Sequence, residues 1–108
     1  MNITVNARHM ETTEAIREYA ESKVAKLPKY FDNIQSIEVI LDTQAGEANC
    51  EIIVHASRKL TFVASSRDAD LYASIDQCDD KIAQQLRRHK GKVRNHHPAH
   101  PTERPNGI

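Results

Sequence analysis

The chain has 108 residues, the usual length of one domain, with room for one modest core. Hydrophobic residues make up 39% of it and tryptophan is absent, so the core is expected to be aliphatic and thin, two layers at most. The formal net charge is zero, and no run approaches the roughly 20 apolar residues that span a bilayer. The N-terminus lacks the basic segment and apolar run of a signal peptide. A cytoplasmic protein without a membrane partner is therefore expected.

The first predicted elements are a strand and a helix. Residues 2–8 alternate between apolar and polar side chains, which is the period of a half-buried strand. Apolar residues then recur at helical spacing over residues 13–27, and Pro28 ends this pattern. Thr12 is the predicted N-cap, and Glu14 lies in the first turn, where the helix dipole favours an acid.

Three short strands joined by tight connections follow the first helix. Side chains alternate between two faces in the first two of these strands, and turn-forming residues separate the first from the second. A short break precedes the last strand. The predicted strands cover residues 37–42, 50–56 and 60–65.

A long second helix of about 27 residues is predicted, with Asp68 as its N-cap candidate and an end at about Arg94. Its apolar residues follow the 4-3-4-4 spacing of one helix face. They stop at Leu86, and Gly91 is a weak point near the helix end. This apolar line consists of Leu71, Ile75, Cys78, Ile82 and Leu86.

The order strand-helix-strand-strand-strand-helix predicts an α+β two-layer sandwich. The hairpin-linked strands should be antiparallel, with both helices on one face of a four-stranded sheet. Residues 1–94 would form this domain, and the His- and Pro-rich segment 95–108 is predicted to be a disordered tail. Double-stranded-RNA-binding domains share this order only loosely, and topology alone does not settle function.

The charge of the chain is unevenly distributed although it sums to zero. From Lys81 onward there are seven basic residues and one acid, so this segment carries +6, and the first 80 residues carry −6. Such asymmetry favours a polyanionic partner for the basic end. The alternative is that the two parts of the chain neutralise each other in the fold.

Two basic flanks are predicted on the second helix, on either side of its apolar line. At 100° per residue, Lys81, Arg88 and Lys92 share one flank, and the opposite flank holds Arg87, Lys90 and Arg94. Two such flanks suit a phosphate-lined cleft better than a flat surface. The competing interpretation is an ordinary solvated face, but no acid lies four residues away to pair with this run. A smaller basic cluster, at the end of the first helix, consists of Lys23, Lys26 and Lys29.

Other chemistry is less favoured. Three histidines are potential metal ligands: His96, His97 and His100. Prolines interrupt their segment, which therefore offers no fixed scaffold, so no metal or other cofactor is expected. Cys50 and Cys78 fall on apolar lines, which predicts buried packing, and Tyr72 is predicted to be half-buried. No phosphate loop, dinucleotide fingerprint or nucleophile elbow is present, so an enzyme is not expected.

One specific motif on the second helix is Asp70-Leu71-Tyr72-Ala73-Ser74-Ile75-Asp76. Together with residues 2–4, 12–19, 25–27, 30–32, 80–86 and 89–90, this motif resembles the short ribosome hibernation-promoting factors and the related ribosome-associated inhibitor. The resemblance is collinear over residues 1 to about 95.

This resemblance implies the same fold and binding to the small ribosomal subunit, in the channel of mRNA and tRNA. It implies contacts with ribosomal RNA that silence translation during starvation. Because the tail is short, the resemblance favours the promoting type, which helps a ribosome modulation factor pair ribosomes. A monomer is expected off the ribosome.

The alternative functions are the inhibitor type, a general structured-RNA binder, and an interaction module or metal carrier that works through the tail. The residues matched to RNA contacts are Lys23, Lys26, Lys81, Arg87, Arg88, Lys90 and Lys92.

Overall fold

A computed structural model describes residues 1–57 and 59–94, with side chains through His89. Two helices cover one face of a four-stranded mixed sheet, which confirms the predicted α+β sandwich. The predicted tail, 95–108, lies outside the described residues. The elements in chain order are β1 Asn2–Arg8, α1 Glu14–Val24, a 3-10 turn Leu27–Lys29, β2 Ile34–Gln44, β3 Glu47–Ala56, β4 Leu60–Asp68 and α2 Leu71–Arg94.

The strands lie in the order β1-β2-β3-β4, and only the first pair is parallel. Parallel pairing follows from the connection, because α1 carries the chain back across one face between β1 and β2. The two later pairs are antiparallel, as predicted for hairpin-linked strands. All three later strands are longer than their alternating patterns indicated, since cross-strand hydrogen bonds extend them past their apolar residues.

The core lies between the sheet and the helices and is almost entirely aliphatic. Alternate strand residues and one line of each helix are buried, and Cys50 and Cys78 are among them, as predicted. The largest fully buried side chains are Leu27, Ile37, Leu41, Ile52, Ile75, Ile82 and Leu86.

Both predicted N-caps were wrong by one or two residues. The hydroxyl of Thr13, rather than Thr12, accepts the backbone N–H of Ile16. At the second helix, the carboxylate of Asp70 accepts the N–H of Tyr72, whereas Asp68 accepts the N–H of Asp70 in the preceding turn. In both places a neighbouring residue of similar capping chemistry accepts the helix N–H instead, so sequence alone does not distinguish the two.

The first helix ends earlier than its apolar pattern predicted. It ends at Val24, and the chain tightens into the 3-10 turn that contains Pro28. Proline disfavours α-helical geometry in the residue before it, here Leu27. That leucine is nevertheless fully buried, because the tighter turn keeps it on the core side. Periodicity therefore identified the core residue and misplaced the helix end.

Side chains from the helices reach the outer edges of the sheet. On β4, the carbonyl of Ser65 accepts from Lys81 Nζ at 2.9 Å and that of Val63 accepts from Gln85 Nε2 at 2.8 Å. On β1, the carbonyl of Val5 accepts from Arg17 at 3.3 Å. These contacts occupy acceptors that an edge strand otherwise offers to another chain.

The hairpin between β2 and β3 has a two-residue loop with a left-handed backbone. Ala45 and Gly46 form its two-residue loop, with φ of 52° and 80°. This left-handed pair is characteristic of a type I′ turn, which favours Asn-Gly. We expect Ala45→Asn to raise the free energy of unfolding by about 0.5–1 kcal/mol in urea titrations, since alanine is strained there. Ala45→Val should lower it, and a loss of stability in both variants would contradict this assignment.

Candidate nucleic-acid interface

The buried half of α2 determines where its basic half begins. Near the start of α2, the hydroxyl of Ser74 donates to the carbonyl of Ser66 near the end of β4. From there α2 runs back along β4 toward the start of that strand. Among the described side chains of α2, which end at His89, Leu86 is the last that is fully buried. The helical backbone continues past Gly91 to Arg94, which adds roughly 12 Å at 1.5 Å per residue. Most of the positive charge of α2 is therefore carried by residues that follow its buried anchor.

An aromatic cluster supports the helix just beyond this anchor. The ring of His89 lies 5.5 Å from that of Phe31 and 5.4 Å from that of Phe62, and the two phenylalanine rings are 5.4 Å apart. Such tilted arrangements suit the quadrupoles of aromatic rings. The cluster joins the loop after the 3-10 turn, β4 and α2. It therefore holds in place the start of the basic half of α2, the part that follows Leu86.

One basic flank of α2 faces β4. Lys81 donates to the sheet edge through Ser65, and its side chain remains exposed. Arg88 borders a groove of about 260 Å³ that is lined also by Phe62, Gln85 and His89. A guanidinium at the mouth of a groove is able to bind phosphate with two parallel hydrogen bonds.

The opposite flank of α2 faces the end of α1. The guanidinium carbon of Arg87 lies 5.0 Å from the centre of the Tyr30 ring, a cation–π contact. Arg87 and Arg88 are both exposed and diverge to the two sides of the helix, as helical geometry predicted. In the described part of the chain, no ion pair uses Lys26, Lys29, Lys81, Arg87 or Arg88.

Of the basic cluster predicted at the end of the first helix, only Lys23 belongs to α1, whereas Lys26 and Lys29 lie at the start and end of the 3-10 turn. Lys23 Nζ is 3.2 Å from a carboxylate oxygen of Asp76, which also accepts from the Tyr19 hydroxyl at 2.5 Å. These hydrogen bonds, that of Tyr19 first, hold the pKa of Asp76 below its usual value. The bond to Asp76 raises the pKa of Lys23. Lys26 and Lys29 are exposed. The charge of Lys23 is therefore partly balanced within the fold, whereas the other two lysines face solvent.

Tyr72 belongs to the same contact between the helices. Its ring packs edge-on against Tyr19 at 4.9 Å, yet 39% of the residue is exposed. The prediction that Tyr72 is half-buried was therefore wrong, because the residue is exposed, although its ring does pack against another tyrosine across the helices. This pair lies beside Asp76 and stabilises the side of α2 that carries the ion pair.

Asp79 is an acidic residue placed among these basic groups. Its Oδ1 is buried and is the only such side-chain atom in the described residues without a hydrogen-bond partner. Burial raises the pKa of its carboxyl to about 6, against the opposing influence of Lys23 and Lys26. The ionised form is therefore costly in the fold.

Several predicted site residues fall outside what the structure describes. The backbone of α2 includes Lys90, Lys92 and Arg94, but their side chains lie beyond the described ones. The candidate metal ligands His96, His97 and His100 also lie outside the described residues. Residues 1–57 and 59–94 contain no group of three His, Cys, Asp or Glu side chains positioned to hold a metal ion. Within the same ranges, no helix is long and apolar enough to cross a membrane.

Sequence reasoning missed three contributors to this surface: the Tyr30–Arg87 contact, the aromatic cluster and Asp79. Only Asp79 had a readable signal. It lies four residues after Ile75 and three before Ile82, so helical spacing places it next to the apolar line. An acid in that position is a candidate for a perturbed pKa. The other two contacts join residues more than 25 positions apart, and local patterns do not reveal them.

The carboxyl of Asp79 leads to a prediction about stability and pH. Because its pKa is about 6 in the fold and near 3.8 ordinarily, the folded state binds its proton more tightly. Stability from this group is therefore greatest at low pH and falls between about pH 4 and 6. We expect Asp79→Asn to raise the free energy of unfolding by about 1–2 kcal/mol at pH 7.5, with no gain at pH 3.5. Urea titrations at both pH values test this, and an equal gain at both would refute it.

Comparison with known proteins places the chain in one family. The family described as Sigma 54 modulation protein / S30EA ribosomal protein matches residues 3–94. A protein named ribosome hibernation promoting factor from Escherichia coli (strain K12) is 35% identical over 96 residues, covering 89% of this chain and all of that protein. One of the same name from Azotobacter vinelandii is 34% identical, covering 85% of each chain.

Two solved structures share the fold. The protein Y N-terminal domain from Thermus thermophilus is 36% identical, with a TM-score of 0.74 over 82% of this chain and 99% of that one. A ribosomal subunit interface protein from Coxiella burnetii, at 23% identity, matches in fold with a TM-score of 0.76 over 85% of this chain and 100% of that one. With most of the described residues matched by the family model, the chain belongs to the Sigma 54 modulation protein / S30EA ribosomal protein family.

Proposed function

We propose that this protein is a ribosome hibernation factor that binds ribosomal RNA of the small subunit through α2. One observation carries the proposal: Arg87 and Arg88 diverge from the end of the buried helix anchor with no acidic partner among the described residues. Exposed cations without partners supply affinity for phosphate that does not depend on sequence. The family and the names of its hibernation-promoting members support this partner.

The proposed binding place is the channel of the small subunit that holds mRNA and tRNA. A helix with cations on both flanks fits a cleft with phosphates on both walls better than a single RNA surface. Occupying that channel would exclude mRNA and tRNA and silence translation in stationary phase or starvation, in the cytoplasm. The proposed action is steric exclusion, and it involves no enzymatic step.

The proposed RNA-binding residues belong to both helices and the 3-10 turn of residues 1–94. Lys81 and Arg88 would contact one wall of the cleft and Arg87 the other, with the lysines of α1 and the 3-10 turn extending that second side. Lys23 contributes least, because Asp76 already balances part of its charge. The complete proposed set is Lys23, Lys26, Lys29, Lys81, Arg87, Arg88, Lys90, Lys92 and Arg94.

The uncovered face of the sheet supports this orientation of the domain. Glu38 and Glu51 lie on strand positions that alternate with the buried ones, among a few basic residues such as Arg8 and Arg67. Arg67 is additionally balanced by Glu47 at 3.7 Å. A face of mixed charge attracts phosphate weakly, so the helical side is the side expected to meet RNA.

Charge reversal on α2 tests the proposal. We expect Arg87→Glu with Arg88→Glu to weaken cosedimentation with purified small subunits at least tenfold, because two phosphate contacts become repulsive. Binding of the unmodified protein should also fall steeply as salt rises. The matched control is Arg8→Glu with Arg67→Glu, which makes the same charge change on the uncovered face. Equal weakening by both pairs would contradict binding through α2.

Competition separates ribosome binding from general RNA binding. Bulk duplex RNA should displace the protein from small subunits only at large excess. Displacement at equal concentration of binding sites would instead favour a general structured-RNA binder. Absence of cosedimentation at low salt would overturn both functions.

We further propose that the protein acts as the promoting type, as a monomer off the ribosome, with a ribosome modulation factor acting through the ribosome. Sucrose-gradient profiles of starved cells test this, because paired and single ribosomes sediment separately. Deleting the gene should remove the paired peak. Growth of that peak on deletion would mean that the protein prevents pairing, as an inhibitor does.

A further inference from the structure

Asp79 occupies the contact between the two helices. It lies on α2 one turn after Asp76, the residue that joins Tyr19 and Lys23 of α1. The side chain is mostly covered, and its Oδ1 receives no hydrogen bond from the described residues. An acidic residue that only interacts with solvent is normally exposed, and an acidic residue buried in a fold normally has a hydrogen-bond partner. Asp79 is neither exposed nor fully paired.

The charged and titratable groups around Asp79 come from three elements. On α1 and directly after it are Lys23 and Lys26, which act on its carboxyl through space. On β3 the group is the buried thiol of Cys50, whose pKa is raised by its contact with Cys78 and by burial, so it stays neutral. On α2 itself they are the carboxylates of Asp76 and Asp80.

The lysines are the groups whose action on RNA an ionised Asp79 would change. Lys26 is exposed, and Lys23 already shares its charge with Asp76. One further negative charge beneath these two ammonium groups lowers the positive potential that they present to a phosphate. Protonation removes that charge without moving any backbone.

We propose that Asp79 is a proton-sensitive brake on RNA binding: its ionised carboxylate weakens phosphate contacts by Lys23 and Lys26, and protonation releases them. This inference rests on the proposed function, since it needs Lys23 and Lys26 to face RNA. It adds a property that the basic residues alone lack, namely tighter binding in mildly acidic conditions.

The burial of the Asp79 carboxyl sets the pH range over which RNA binding should change. Burial raises the pKa of Asp79 to about 6, so its charge changes between roughly pH 5 and 7. The hydrogen bond to Asp76 raises the pKa of Lys23, so this lysine keeps its charge throughout that range. Because the pair interaction is partly exposed to solvent, the expected effect on binding is modest, roughly threefold to fivefold.

The test compares binding to purified small ribosomal subunits at pH 5.5 and 7.5, at one ionic strength. The full-length protein, Asp79→Asn and Asp80→Asn are measured in parallel. Asp79→Asn should bind about threefold to fivefold more tightly than the unmodified protein at pH 7.5 and equally at pH 5.5. Histidine protonation also strengthens binding in acid, but it affects all three proteins alike and cancels in the comparison.

Asp80→Asn is the matched control, because Asp80 is adjacent and exposed. Any gain in its affinity should be the same at both pH values. Adding Lys26→Ala to Asp79→Asn should remove much of the gain, as expected if the brake acts on the lysines. Carbon-13 NMR titration of the Asp79 carboxyl checks that it titrates near pH 6 in the folded protein.

The possible outcomes distinguish failure of the Asp79 brake from failure of the proposed ribosome binding. Equal pH dependence in the unmodified protein and Asp79→Asn, with binding intact, would overturn the brake and leave the proposed function standing. A carboxyl that titrates near pH 4 would overturn the brake as well. Failure of the unmodified protein to bind small subunits at either pH would overturn the proposed function, and the brake with it.

Discussion

The apolar line of α2 closes the core over β3 and β4, and the position at which it stops governs the basic surface. Ile75, Cys78, Ile82 and Leu86 are fully buried, and their removal from water stabilises the helix far more than its intrinsic propensity does. Because Arg87 and Arg88 follow this buried anchor directly, the helix presents their side chains in defined directions. A flexible arm with the same charges would lose more conformational entropy on binding RNA.

The same helix also protects the sheet and joins it to α1. Lys81 and Gln85 occupy carbonyls on the edge of β4, so side chains that lie outside the core limit pairing with other chains. On its other side, Asp76 binds Tyr19 and Lys23. The helix thus has one apolar face and two polar flanks, each of which makes a tertiary contact before the chain reaches the exposed arginines.

Much of the fold could be predicted because its local patterns agree with one another. Period-two alternation indicated each strand, and the 4-3-4-4 spacing identified the core residues of α2 as far as Leu86. The ends were less predictable: Thr13 caps α1 although Thr12 is chemically similar, and the 3-10 turn replaces its last predicted turn. For the candidate surface, the sequence indicated the cations but not the rings that support Arg87 and His89.

The amino-acid sequence by itself determined the element types, the buried faces, the separation of charge along the chain and the family. These properties depend on residues a few positions apart, whose relation is set by helix and strand geometry. Only the tertiary structure decided that β1 pairs in parallel with β2 and that Asp76 neutralises part of Lys23. It also decided that Asp79 is buried beside lysines more than fifty residues earlier. Such features arise when distant segments pack, because burial and electrostatic coupling depend on which segments meet.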